Sequence, residues 1–248
     1  MSSDSEEDKD LNDPYKIKVS KNRGRHIKQP HCSENDLLPK IPFGCLAIGK
    51  SGSGKSTAVV NLLSNPKLLK DAFDYVLLYT GVHPDKELLR DLNLKKENIF
   101  VDFSEEEVKN TIDKMEAVVK KQGMESTPKL CLIFDDVLAS IKFLKSPTLT
   151  KLCTAGRHFN CSYILCSQYY KKIPNVVRTN ASYYMIFPSS ENELIKIADE
   201  LTPPNMNKKT FLKIAKHATK EPYSFLSINT KCDSAKSLIK GFNKVLSL

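Results

Sequence analysis

Apolar residues in this chain gather in short unbroken runs, and polar stretches with a helical period separate them. The first run, residues 43–48, follows Pro39 and Pro42, which stop any helix, and leads into a glycine-rich loop. Further runs stand at 74–79 (DYVLLY), 98–103 (NIFVDF), 129–136 (KLCLIFDD), 161–168 (CSYILCSQ), 182–187 (SYYMIF) and 223–229 (YSFLSIN). A run that is apolar throughout suits a strand covered by helices on both faces.

The intervening segments predict helices. One runs from Gly54 to about Ser64, turns Val59, Val60, Leu62 and Leu63 inward, and ends at Asn65-Pro66. A short one covers PDKELLRDL. A long charged one opens on the capping pair Ser104 and Glu107 and stops at Gly123. Another spans about 147–158, and the next is capped by Ser190 and Glu193. After a break at TPPN (202–205), a last helix carries Phe211, Ile214 and Ala215. The alternation predicts a three-layer α/β domain over residues 39–248, with a mainly parallel sheet that ends at 223–229. No internal repeat is visible.

Composition adjusts this picture at the N-terminus. Residues 4–13 are mostly acidic, whereas residues 15–28 hold six Lys or Arg and no acid. With few large apolar residues, 1–38 reads as a disordered acidic-then-basic tail, a solvating leader or a contact for DNA or a partner. The first residues are too polar for a secretory signal, and no apolar run reaches the ~20 residues of a membrane span. The seven cysteines, Cys32, Cys45, Cys131, Cys153, Cys161, Cys166 and Cys232, are scattered without a C-x-x-C pair. They read as reduced thiols on the cytosolic side, several of them on apolar strands. A formal charge of +9 makes a polyanionic partner plausible without specifying it.

The chemistry begins in the loop GKSGSGKST, residues Gly49, Lys50, Ser51, Gly52, Ser53, Gly54, Lys55, Ser56 and Thr57. Its glycines let backbone N–H groups wrap phosphate oxygens, and the following helix turns its positive end to the same group. Lys55 is placed for the β- and γ-phosphates of ATP, and the Ser56 hydroxyl for Mg2+. Two acids close the run at 129–136. Asp135 is read as the metal-side acid, and Asp136 as the catalytic acid that orients or deprotonates water. Gln168, at the tip of the next run, stands where such sheets bind ligands and can sense the γ-phosphate. Either Arg157 or Arg178 can supply a cation from a neighbouring subunit, with Arg157 preferred. In QYYKK, Tyr169, Tyr170, Lys171 and Lys172 join aromatic faces to cations, as nucleic-acid contacts do, and Arg178 extends the set. A solvated surface loop explains QYYKK equally well.

The order of phosphate loop, acid strand and glutamine strand characterises P-loop ATPases with an additional strand between the phosphate-loop and acidic strands. The chain resembles the HerA/FtsK superfamily of DNA-pumping ATPases. PFGCLAIGKSGSGKST, CLIFDDV and TAGRHFNCSYILCSQYYKKIPNVVRTNA are similar to the poxvirus-type genome-packaging ATPases of large double-stranded DNA viruses and their virophage relatives. The resemblance covers about residues 40–230. It implies a homo-oligomeric ring of five or six subunits that threads double-stranded DNA into a viral capsid. The implied place of work is the viral factory in the host cytoplasm, or the virion. The superfamily usually has Glu as its second acid, so Asp136 is one methylene shorter. No cysteine, acid or histidine cluster suggests an added nuclease. Two other classes remain: a P-loop phosphotransferase, which should carry an arginine-rich lid, and a virion nucleotide-binding protein without motor activity.

Overall fold

Strands that are apolar on both faces need helices on both faces, and the computed structural model has that arrangement. It describes residues 37–81, 90–92, 94–137, 140–233 and 236–246. Nine strands form one sheet in the order β3-β2-β4-β5-β1-β6-β7-β8-β9. They are β1 Gly44–Ile48, β2 Tyr75–Thr80, β3 Ile99–Val101, β4 Leu130–Asp135, β5 Cys161–Ser167, β6 Tyr183–Ile186, β7 Leu226–Asn229, β8 Leu238–Lys240 and β9 Lys244–Val245. Strands β1 to β6 pair in parallel, and β7 to β9 add an antiparallel wing. Strand β5 therefore separates β1 from β4, and a tip of each strand meets at one edge.

Seven helices stand among the described residues: α1 Lys55–Ser64, α2 Glu105–Gln122, α3 Ile141–Leu144, α4 Pro147–Ala155, α5 Asn175–Asn180, α6 Glu191–Leu201 and α7 Lys208–Ala218. The two faces of the sheet carry separate cores. One joins Leu46, Phe134 and Leu165 to residues of α2 and α4 to α7; the other joins Ala47, Ile133 and Cys166 to Ala58, Val59 and Leu62 of α1. Strand residues alternate between these cores, which explains the unbroken runs.

Caps set most of the helix starts. The hydroxyls of Ser104, Ser146 and Ser190 and the side-chain oxygen of Asn207 each accept a backbone N–H of the first turn. Three glutamates lead α2 and two lysines end it, in line with its dipole.

The structure corrects three boundaries. The segment expected to be helical over 147–158 is α4 followed by a 3-10 turn, Gly156–Phe159, before β5. The sheet continues past 229 through β8 and β9, a hairpin whose three-residue loop starts at Gly241 with φ 63°. Leu38, assigned to the tail, is buried, and Asn229 Nδ2 donates to the carbonyls of Leu37 and Leu38. Residues 1–36 and most of PDKELLRDL lie outside the described residues.

Cys45, Cys131, Cys153, Cys161 and Cys166 are free and buried, and burial pushes their thiols well above the ordinary value. They serve as small neutral core residues. No helix among the described residues is long and apolar enough to cross a membrane.

Under the acid pair lies an aromatic cluster. Phe134 stacks on Tyr79 at 5.3 Å between ring centroids and meets Phe143 at 5.2 Å and Phe103 at 6.4 Å. Phe134→Ala should cost about 3–5 kcal/mol of stability, measured as a lower denaturation midpoint with the sheet still formed.

Candidate nucleotide site

The loop after β1 is held by its neighbours before any ligand is considered. Gly49 N–H donates to the Ser167 carbonyl at 3.0 Å, and Lys50 N–H to the Pro188 carbonyl at 3.3 Å. The approach leaves no space for a side chain. A Cβ on Gly49 would lie 2.5 Å from Phe187 Cβ and 2.8 Å from Ser53 Oγ. Lys55 Nζ bridges the carbonyls of Gly49 and Lys50 at 2.9 and 3.0 Å, so its charge sits in the mouth of the loop. Ser51, Gly52 and Thr57 are exposed on the outer side, whereas Ser53 is buried beneath them.

The acids come from two strands away. Ser56 Oγ donates to Asp135 Oδ2 at 2.7 Å, which joins the first turn of α1 to the tip of β4. These are two hard oxygen donors. Their separation is close to the edge, about 2.9 Å, of an octahedron with Mg2+–O bonds of ~2.05 Å. The pair therefore fits a Mg2+ ion. Among the described residues no cluster of three His, Cys, Asp or Glu side chains could hold a metal unaided. Such an ion would complete its shell with water and phosphate oxygens, which is the usual habit of Mg2+.

Asp136 adopts a left-handed conformation, φ 56°, which Asp tolerates better than most residues. It is exposed and directly follows Asp135 at the end of β4. Gly81 N–H donates to the Asp135 carbonyl at 3.1 Å and fixes the turn from the β2 side. Gln168 follows Ser167 directly, and Ser167 pairs with Ile48. The glutamine thus stands at the shared edge next to Gly49, half-buried. Lys55 and Ser56, which follow β1, Asp135 and Asp136, at the end of β4, and Gln168, after β5, thus stand at one edge of the sheet, with Ser56 and Asp135 in direct contact.

The basic residues divide differently. Arg157 is exposed in the 3-10 turn that precedes β5. Gln168 is at the other end of that strand, so the two lie roughly 20 Å or more apart at ~3.3 Å per residue. Arg157 cannot serve the site of its own subunit.

Arg178 is not the surface group that the sequence suggested. It is 9% exposed, its Nε and Nη2 donate to Glu200 at 3.0 and 3.2 Å, and its Nη1 bonds the Ile173 carbonyl at 2.5 Å. Tyr170 is also displaced from the DNA-facing set. Its ring is fully buried, its hydroxyl donates to Glu200 at 2.8 Å, and its N–H donates to Glu193. Lys171 is ion-paired with the same Glu200. Tyr169 and Lys172 face outward, with the ammonium 4.4 Å from the ring centroid. Glu200 carries no sequence signal beyond that of an acid on a helix, ten residues after the N-cap Ser190.

The sequence model described as "Poxvirus A32 protein" matches residues 31–234, most of the chain. The chain belongs to the poxvirus A32 protein family. It is 31% identical over 165 residues to the DNA packaging protein OPG160 of vaccinia virus (strain Copenhagen), covering 65% of this chain and 58% of that one. The monkeypox virus protein of the same name is also 31% identical, with 65% and 52% covered. The chain thus spans little more than half the length of these A32 relatives.

Among solved structures, it is similar to the genome packaging NTPase B204 of Sulfolobus turreted icosahedral virus 2 in complex with ATP-gammaS. The TM-score is 0.52 at 17% identity, with 82% of this chain and 98% of that one covered. The pCW3 conjugation coupling protein TcpA with ATPgS gives 0.54 at 14% identity, with 82% and 60% covered. At these identities the likeness is one of fold: an α/β P-loop ATPase with a mostly parallel sheet.

Glu200 also makes a pH prediction for this A32 family member. Partial burial pushes its carboxyl up, but hydrogen bonds from Arg178, Lys171 and Tyr170 outweigh that and hold it down at about 2. A depressed carboxyl contributes stability that is complete above the ordinary carboxylate range and is lost as pH falls towards about 2. Glu200→Gln should therefore lower the thermal midpoint at pH 7, and the gap to the parent should close between about pH 4.5 and 2. A gap independent of pH would mean that the ionised carboxylate does not hold this loop.

Proposed function

We propose that this chain is the ATP-hydrolysing subunit of a motor that packages double-stranded viral DNA into a capsid. One observation carries the reading: Lys55, Ser56, Asp135, Asp136 and Gln168 converge from β1, β4 and β5 on one sheet edge. The A32 relatives named as DNA packaging proteins supply the cargo, and the ATP-analogue complexes of structural neighbours support the fuel. The place of work that goes with this reading is the viral factory in the host cytoplasm.

Each residue has a separate task. The loop amides and Lys55 bind and orient the triphosphate. Ser56 and Asp135 would hold Mg2+, which neutralises phosphate charge when bound. Asp136 takes the proton of the attacking water, or orients that water, and Gln168 reads whether the γ-phosphate is present. A cation for the charge on the transferring group comes from a second copy of the chain through Arg157, since Arg178 is already committed to Glu200. Lys172 and Tyr169 remain as a DNA contact, weaker than the full QYYKK set because Lys171 is already neutralised.

DNA-dependent turnover tests the reading. Wild-type protein with ATP and Mg2+ should hydrolyse faster when duplex DNA is added, with little sequence preference. Asp136→Asn should still bind ATP but turn over ~10²–10⁴-fold more slowly. Turnover that ignores DNA but follows a phosphate-accepting small molecule would replace the motor with a phosphotransferase.

A mixing experiment tests the shared site. Lys55→Ala and Arg157→Ala subunits, each inactive alone, should regain partial activity when mixed. An arginine supplied in this way can be worth ~10³–10⁵ in rate. No recovery in mixtures shown by sizing to contain hybrid assemblies would remove Arg157 from the role.

A further inference from the structure

The acids and Gln168 lie on one side of the loop, so the groups on its other side are the candidates for holding the base. In the sheet order β4-β5-β1-β6-β7, the acids and Gln168 occupy the β4 and β5 side of β1. Across β1, the antiparallel β7 begins at the edge where β6 ends, because Leu226 pairs with Ile186. The turn leading into β7 thus stands at the edge that carries the loop. Its third residue is Tyr223.

Tyr223 is unusual in two ways. It is 72% exposed, the most exposed of the large hydrophobic residues among those described. It also holds φ 61° in the turn Glu221–Ser224, where Ser224 N–H returns to the Glu221 carbonyl at 3.2 Å. Pro222 before a positive-φ residue is the pattern of a type II turn, a position that ordinarily takes glycine. A tyrosine is held there against backbone preference, with its ring left in water. Such strain points towards a use for the side chain.

The ring is also fixed next to the phosphate loop. Gly54, with φ 95°, caps α1, and a Cβ built on it would sit 3.2 Å from Tyr223 Cδ1 and 3.5 Å from Tyr223 Cβ. Two residues after Tyr223, Phe225 stacks on Phe187 at 4.8 Å and meets Phe242 edge-on at 5.0 Å. Phe187 is the residue against which Gly49 packs. The turn and the loop therefore share one aromatic support.

We infer that the Tyr223 ring is the stacking platform for the nucleotide base, completing a site whose phosphate end lies at Lys55, Ser56 and Asp135. This rests on the reading of the loop as a nucleotide site. An aromatic face stacks on any base, so this contact adds affinity without choosing adenine over guanine.

Binding of three probes to the full chain, in the presence of Mg2+, tests the inference: non-hydrolysable analogues of ATP and GTP, and inorganic tripolyphosphate. Tyr223→Ala should weaken both analogues by roughly 5- to 150-fold, the range for a lost base–aromatic stack, and leave tripolyphosphate unchanged. Tyr223→Phe should bind all three as the parent does. The chain contains no tryptophan, so Tyr223→Trp yields a single tryptophan, excited selectively over the tyrosines, whose emission the analogues should quench and tripolyphosphate should not. Equal weakening of all three probes in Tyr223→Ala, or no weakening of any, overturns the platform. Parent protein that binds neither analogues nor tripolyphosphate overturns the nucleotide site itself, and the inference with it.

Discussion

The hydrogen bond from Ser56 to Asp135, 2.7 Å long, joins residues 79 positions apart across an intervening strand. At ~4.8 Å between neighbours, β1 and β4 lie roughly 10 Å apart, too far for their tips to touch directly. The gap closes because α1 leans over β5, packing Val59 and Leu62 against Cys166 and Ile133. Cys166, a small neutral thiol, and Ala58, in the first turn of α1, are both buried in this core. The metal-side pair is thus a consequence of core packing as much as of the loop motif.

A second constraint acts at the end of the glutamine strand. Glu200 on α6 gathers Tyr170, Lys171 and Arg178, and Glu193 on the same helix receives the Tyr170 amide. The segment from Gln168 to Arg178 is therefore clamped to α6 by charge-assisted bonds, and Arg178 is nearly out of solvent. Removing one member of such a group leaves the others under-paired. The clamp fixes the segment that directly follows Gln168 against α6. The cations that the sequence offers to DNA are partly used to make this connection rigid.

Most of the fold was legible because both sheet faces are buried. Unbroken apolar runs then mark strands, and serine caps mark the helices between them. What escaped were elements too short to carry a period: β8 and β9, and the 3-10 turn at Gly156–Phe159. The loop after β1 and the acids that end β4 could be placed at strand tips because each directly follows an apolar run. The Ser56–Asp135 bond, across 79 positions, is instead a product of tertiary packing. Tyr170 and Arg178 could not be placed in this way, since their partner Glu200 is 22 or more residues away and only tertiary packing brings it near. Tyr223 was hidden for a related reason. It lies within an apolar run that reads as strand, and only the register of β7 against β6 shows it to be a turn residue at the loop.

The position of Arg157 limits how copies of this chain can work together. The phosphate loop is at the edge where the parallel strands end, and Arg157 is at the edge where β5 begins. On the proposed reading, the arginine of one copy reaches the phosphate site of another, so unlike surfaces must meet. A twofold contact buries the same patch on both partners, whereas a contact between opposite edges is heterologous and repeats from copy to copy. Such a contact gives a ring with a site at every interface where its rotation closes, and an open filament where it does not. Because each site then needs its neighbour's arginine, hydrolysis in one subunit is tied to the placement of the next.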